Sequence, residues 1–419
     1  RSGARLPRME RLDSGMNGLL DKVRALLGAE AVLDAGAAGV APRIAPPTPE
    51  AVALLLRTAT EEGWKVRVEG TGSWQPADAP ADLALTTRRL DAMESIEPQD
   101  LVATAQAGVG WDRLGHQLAE RGVWVALDPP GLAGRSVGSI VACGTAGPLR
   151  QGLGPVRDHL LGLTAVTGDG RVISGGGRVV KNVAGYGLTR LQAGGFGAFG
   201  VVVRVHLRLH ALPRADITFT LEGTREDLSR VGDDVRERGL APAAHELLSP
   251  ALARRDGWVL AVRCAGSAAQ VEAEEATVRT LADGRFAPLP ADQTHAFWQR
   301  AAEAHAMRPV TLRLGGLPDT TDDLLDLLAH QLGDEWISAS PGLGAIRWSG
   351  ETTAERLRHL RRILAAREVP LTLERATWDL RRAVGHFGAY REGIGPLVRD
   401  LRRTFDPAPT LVVPIAAEE

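Results

Sequence analysis

The sequence predicts an α+β protein in two parts, a glycine-rich first part and a ferredoxin-like or doubled α+β second part. Three observations lead there. A chain of 419 residues is long enough for two or three domains. Nineteen of its 48 glycines lie between Gly131 and Gly200, where the backbone must turn sharply or approach something closely. Past Pro213 glycine thins out, and strands alternate with helical stretches of roughly 12–17 residues, the signature of βαβ sets.

The elements follow in order. Residues 13–30 read as an amphipathic helix. Thr48-Pro49-Glu50 opens a helix that runs to about Glu62, with Thr as N-cap, Pro at the first helical position and an acid in the first turn. A strand at Lys65–Glu69 leads into the loop Gly70-Thr71-Gly72-Ser73-Trp74. Short strands are expected at Leu83–Thr86, Leu101–Ala105 and Val123–Leu127, with a helix at Trp111–Arg121. Gly168-Asp169-Gly170 turns a hairpin between Leu163–Thr167 and Val172–Ser174. The alternating residues Val201, Val203, Val205, Leu207 and Leu209 make a half-buried strand. In the second part, strands are expected near Ile217–Leu221, Trp258–Arg263, Val310–Leu314, Ala345–Trp348 and Leu371–Leu373. The helices between them fall near Arg225–Arg238, Ala268–Ala282, Thr321–Gln331 and Thr353–Arg367. This gives a helical segment at 1–40, a first domain at 41–213 and a second at 214–419.

Composition removes several function classes. With 49 basic and 51 acidic residues, no bulk charge draws the chain to nucleic acid. Two cysteines supply neither a disulfide framework nor a four-thiolate metal site, and HExxH and CxxC are both absent. No apolar run approaches the roughly 20 residues of a membrane span, and the first residues lack a secretory pattern, so the expectation is a cytoplasmic enzyme. No lysine stands in a Walker A context.

Two motif matches fail on context. Gly195-Phe196-Gly197-Ala198-Phe199-Gly200 fits G-x-G-x-x-G, yet helical residues precede it and a strand follows, the reverse of a dinucleotide fingerprint. Gly134-Arg135-Ser136-Val137-Gly138 fits a hydrolase elbow, but Pro129 and Pro130 break the strand that should feed it. What survives is a set of small-residue loops, Gly70–Trp74, Pro130–Gly147, Lys181–Tyr186 and Gly194–Val201. Their successive N–H groups can hold an extended anionic ligand without lysine. Lys181, Asn182 and Tyr186 stand together in a chain with three lysines, two asparagines and two tyrosines, which marks that segment as a site.

These residues resemble a known family. TGSW after a strand, DPPGLAGRSVGSIVACGTAGP (Asp128–Pro148), GPVRDHLLGL (Gly154–Leu163) and GRVVKNVAGYGLTRLQAGGFGAFGVV (Gly177–Val202) are similar to the vanillyl-alcohol-oxidase, or PCMH, type of FAD-binding domain. The likeness spans about residues 45–215 and is greatest to the FAD-binding second subunit of bacterial glycolate oxidases. It implies a two-subdomain FAD-binding domain followed by a ferredoxin-like cap. By position, Gly70, Thr71, Gly72 and Ser73, with Trp74, would hold the FAD pyrophosphate. Pro130, Ser136, Val137, Gly138, Ser139 and Ala142 would run along the flavin and ribityl chain, so a side chain at Gly138 would enter cofactor space. Gly185, Gly200 and Val201 would touch the cofactor through the backbone, with Lys181, Asn182 and Tyr186 beside them.

Relatives with covalent flavin carry His in the first glycine loop; Ser73 near that place implies non-covalent FAD. The resemblance also implies a larger FAD-containing catalytic subunit, an iron–sulfur subunit and a small 2-hydroxy acid as substrate. A stand-alone FAD oxidase and a flavin-holding structural subunit are the alternatives. Three departures stand out: Glu69 replaces a usual Arg, Gly187 replaces a usual Asp, and Pro341–Gly350 lacks the histidine of the catalytic H-x-G-D-G-N motif. The catalytic residue is left open, with His386 the remaining candidate.

Overall fold

The computed structural model describes residues 7–37, 40–131, 134–178, 187–333, 335–388 and 393–413. Its first sheet has the strand order Val32–Asp34, Arg43–Ile44, Leu83–Thr86, Val66–Glu69, and its last three strands run parallel. Parallel neighbours need a crossover, and the helix Pro49–Glu62 supplies it. Thr48 Oγ1 accepts from the Ala51 N–H at 3.2 Å, and Gly63 closes the helix at φ +72°. The helix buries Val52, Leu55, Leu56 and Ala59 against Ile44, Leu83 and Leu85.

The second sheet is antiparallel, in the order Met93–Glu97, Val102–Gln106, Val201–Arg208, Leu160–Val166, Val172–Gly176. Its central strand serves two cores. Val201 and Val203 join the core of the first sheet, whereas Val202, Val205 and Leu207 join the second. An irregularity between Val202 and Arg204 shifts the register and exchanges the faces.

The third sheet has eight antiparallel strands, ordered Ala287–Pro288, Ala215–Gly223, Trp258–Gly266, Ala244–Leu248, Trp336–Ser340, Ala345–Gly350, Val310–Gly315, Leu371–Arg375. It consists of two ferredoxin-like halves with mirrored strand order, joined where Leu247 pairs with Ala339. Helices Arg225–Glu237, Ala268–Val278, Thr321–Leu332 and Ala354–Ala366 cover one face, burying residues such as Leu312, Ile346, Trp348 and Leu373. The intervening Arg313, Arg347 and Glu374 fall on the other face by the two-residue period of strands.

Six helices were not foreseen: the short Arg150–Leu153, Pro250–Ala253 and Trp378–Val384, and the longer Val137–Cys143, Ala291–Ala304 and Ile394–Phe405. After the last of them the chain returns to the first part. Leu411 bridges to Val66, Thr410 Oγ1 meets Thr60 Oγ1 at 2.9 Å, and Asp406 accepts from the Thr410 and Leu411 N–H groups at 2.8 and 3.0 Å. No helix among the described residues is long and apolar enough to cross a membrane.

Candidate cofactor site

A cleft of about 990 Å³, mouth included, opens where the strand Val66–Glu69 ends. Its first wall is the loop Gly70–Gln75. Among the described residues, no backbone N–H of this loop meets a protein acceptor. The loop is held through other atoms. Arg88 donates to the Thr71 carbonyl at 2.6 Å, Thr71 Oγ1 bonds the Gly134 carbonyl, and Arg375 donates to the Trp74 carbonyl at 2.9 Å. The amides of a loop clamped in this way are left for a ligand. Glu69 at its entrance is buried, and its charge is met by Arg67 at 2.8 Å and Arg43 at 3.2 Å. The acid that stands where relatives usually carry Arg is thus paired.

The second wall is the helix Val137–Cys143. Ser136 Oγ caps it by accepting from the Ser139 N–H at 3.3 Å. Ser139, Ala142 and Cys143 face the cleft, while Val137, Ile140 and Val141 enter the core of the second sheet. Phe196, Gly197, Gly200 and Val201 form a third wall. Arg381, His386, Val412 and Val413 close it from the far end of the sequence.

The charge around the cleft is positive and largely buried. Arg135 is fully buried, with its guanidinium 4.6 Å from the Trp74 ring, and burial lowers it to about 10. It donates to the Pro130 carbonyl and to Thr145 Oγ1 at 2.8 and 2.7 Å, and among the described residues it forms no ion pair with a carboxylate. Arg381 donates to Asp78 at 2.8 Å. Burial pushes the Cys143 thiol up, which keeps it protonated. His386 stacks on Phe196 with centroids 4.0 Å apart, and its Nδ1–H donates to the Leu373 carbonyl at 2.8 Å. Burial depresses this imidazole to about 3, so it is neutral near pH 7. It can accept a hydrogen bond at Nε2 and pack against Phe196, but it is a poor proton acceptor.

Of the residues singled out in the sequence, Gly70, Gly72, Ser73, Trp74, Gly138, Ser139, Ala142, Gly200, Val201 and His386 meet at this cleft. Thr71, Pro130, Ser136 and Val137 stand behind its walls: Thr71 and Pro130 anchor neighbours, Ser136 caps a helix, and Val137 is core. Lys181, Asn182, Gly185 and Tyr186 lie outside the described residues. Sequence reading missed Arg67, Gln75, Cys143, Phe196, Arg381 and Val412–Val413. Phe196 alone carried a signal, a large residue between glycines that here takes φ +51°.

The expectation for Gly138 needs correction. A Cβ there would lie 2.7 Å from Ala107 Cβ and 2.9 Å from its carbonyl oxygen, so it would strike protein before cofactor space. Gly138→Ala should therefore lower stability by roughly 1–3 kcal/mol through overpacking. Denaturant melts check this; an unchanged midpoint would show that the helix can shift away at no cost.

Residues 41–176 match the family model described as FAD binding domain. The chain is 32% identical to glycolate oxidase subunit GlcE of Escherichia coli (strain K12) over 267 residues, 63% of this chain and 69% of that one. The chain belongs to the GlcE-type family of FAD-linked oxidoreductases. A further member of this oxidase group, glycolate oxidase subunit GlcD of Bacillus subtilis (strain 168), is 26% identical over 211 residues, 49% of this chain and 44% of that protein. In fold, the chain is similar to alkyldihydroxyacetonephosphate synthase, with a TM-score of 0.65 at 15% identity over 88% of this chain and 75% of that one.

The cofactor of this family is FAD, and the residues present fit it. The unpaired loop amides suit a diphosphate. Buried polar atoms without a partner also cluster here: Arg43 Nε, Trp74 Nε1, Gln75 Oε1, Arg135 Nε and Arg381 Nε.

Proposed function

We propose that the chain is the FAD-binding subunit of a complex that oxidises glycolate or another small D-2-hydroxy acid. It holds FAD non-covalently and works beside a larger FAD-containing catalytic subunit and an iron–sulfur subunit. Residues 41–213 form the cofactor unit and 214–419 the cap. The subunit is cytoplasmic and meets the inner membrane only through its partners.

One observation carries the reading. The cleft offers amides and buried arginines to a dinucleotide, yet its described walls hold no group suited to taking a proton from a hydroxy acid. Cys143 is held protonated, His386 is depressed to about 3, and Glu69 is engaged by two arginines. FAD, when bound, supplies the capacity to accept and pass on electrons. The chain's own residues orient the dinucleotide and shield it from water. Its two cysteines cannot supply a four-thiolate cluster, so the iron–sulfur cluster is placed on the partner subunit.

The purified chain should be yellow and should release all of its flavin on acid precipitation. Glycolate should leave that flavin oxidised in the isolated chain, and turnover should appear when the partner subunits are added. Flavin remaining on the precipitated polypeptide would refute non-covalent binding. Rapid reduction by glycolate in the isolated chain would replace the complex subunit with a stand-alone oxidase.

A further inference from the structure

The helix Ala291–Ala304 packs on the eight-stranded sheet through Trp298, which meets Ala244 and Ala261 and donates from Nε1 to Thr218 Oγ1 at 2.9 Å. Phe297, Ala301 and Ala304, spaced i, i+4 and i+7, form a second stripe on the same helix. That stripe faces the short helix Pro250–Ala253 and Trp336. Between these elements runs a groove of about 790 Å³, mouth included. Its floor is apolar: Leu252 and Ala301 are buried, and Phe297 and Trp336 are half-buried. Met307, 66% exposed, stands at its edge.

The charge along this groove is one-sided. Arg254, Arg255 and Arg300 line it, are exposed, and form no side-chain hydrogen bond or ion pair among the described residues. Arg254 ends the helix Pro250–Ala253 in the left-handed region at φ +54°, a place where Gly would cost less and carry no charge. The lining has one carboxylate, Glu303, which accepts from Gln299 Nε2 at 3.1 Å. The groove also adjoins the cofactor cleft. Ala302 accepts from the Gly131 N–H at 3.0 Å, and Arg375 ties the carbonyl of Arg308 to that of Trp74. An occupant would thus stand one helix diameter, about 10 Å, from the loop at Gly131.

We infer that this groove docks an acidic segment of a partner polypeptide. The segment inserts a large apolar side chain between Phe297 and Trp336 and sets its carboxylates against Arg254, Arg255 and Arg300. A desolvated apolar anchor supplies affinity, and complementary charge around it selects the partner. A bilayer is the poorer occupant, because it engages apolar side chains that protrude. Here Phe297 and Trp336 line a recess, and Met307 is the one large apolar lining residue that stands out. That the segment belongs to the larger FAD subunit or the iron–sulfur subunit rests on the proposed function; its chemistry does not.

Calorimetry of the FAD-loaded full chain against each of those two subunits tests the groove. The double variant Arg255→Glu, Arg300→Glu should bind one of them at least about tenfold more weakly in low salt, and the gap from the parent should shrink as salt rises. Ala304→Trp, which fills the groove without changing its charge, should weaken the same subunit at least about tenfold at every salt concentration. Arg362→Glu, on the helix Ala354–Ala366 across the sheet, should bind as the parent does. Circular dichroism confirms the fold of each variant, and the exposed double variant decides alone if the Trp variant misfolds. Parent-like subunit affinity in the double variant would overturn the docking site. So would a double variant that loses only binding to phosphatidylserine vesicles, which would make the patch a membrane contact. A parent chain that binds neither subunit refutes the complex and this docking with it, whereas assembly that the variants leave intact refutes the groove alone.

Discussion

Replacing Glu374 by Ala is expected to lower stability by roughly 3–5 kcal/mol, the cost of leaving a buried ion pair with one member missing. Glu374 is 1% exposed and is the only carboxylate described within ion-pair distance of Arg313 and Arg347. Its loss would leave two like charges facing each other across paired strands. The same group sets an acid limit. Burial alone would raise its pKa, but Arg347 and Arg313 outweigh burial and hold it at about 2, below the ordinary 4.5. A depressed acid stabilises the fold fully above its unfolded pKa and loses that contribution as pH falls through the folded one. The gap between parent and Glu374→Ala should therefore be constant above about pH 4.5 and should narrow between 4.5 and 2. Glu374→Gln, which keeps an acceptor without the charge, should fall between them. Urea melts at stepped pH measure all three; a parent–Ala gap under about 1 kcal/mol at pH 7 would mean that the arginines find water instead.

Much of the scaffold could be read from local chemistry. Thr48-Pro49-Glu50 and Gly63 bound a helix whose ends the residues themselves cap, and the strand Leu83–Thr86 runs where its apolar run lies. The doubled ferredoxin-like half was legible because strand and helix periods alternate along it. The helix Val137–Cys143 was not legible. Its sequence VGSIVAC has β-branched and glycine residues of modest helix propensity, and only the Ser136 cap and packing against Ala107 make it helical. Half of the cleft was hidden for a related reason. Arg381, His386 and Val412–Val413 reach Gly70–Gln75 across some 300 residues through contacts such as Arg381 to Pro76 and Asp78, and no local pattern encodes such a distance. The pairing of Glu69 with Arg43 likewise follows from sheet order, which places strands 43–44 and 66–69 on either side of 83–86.

The largest effect on the cofactor is expected from Gly72→Asp. Gly72 sits at φ +78°, and an added Cβ would meet nothing closer than Arg43 Nη2 at 3.7 Å and Glu69 Oε2 at 3.9 Å. Unlike Gly138, this position has room, so a new side chain would reach the amide-lined cleft before it struck protein. A carboxylate about 4 Å from a diphosphate charge is disfavoured by roughly 4 kcal/mol at an effective dielectric of about 20, close to a thousandfold in affinity. Backbone strain is a confounder, because φ > 0 disfavours most side chains. Gly72→Asn controls for it: Asn is nearly the same size, carries no charge and is among the residues that tolerate the left-handed region. The Asn variant should lose only a modest part of its FAD affinity, while the Asp variant should be isolated as a colourless protein with the melting behaviour of the flavin-free parent. Flavin fluorescence titration against both variants, with circular dichroism to confirm the fold, decides the matter. Equal FAD affinity in the Asp and Asn variants would place the diphosphate elsewhere than on the Gly70–Gln75 amides.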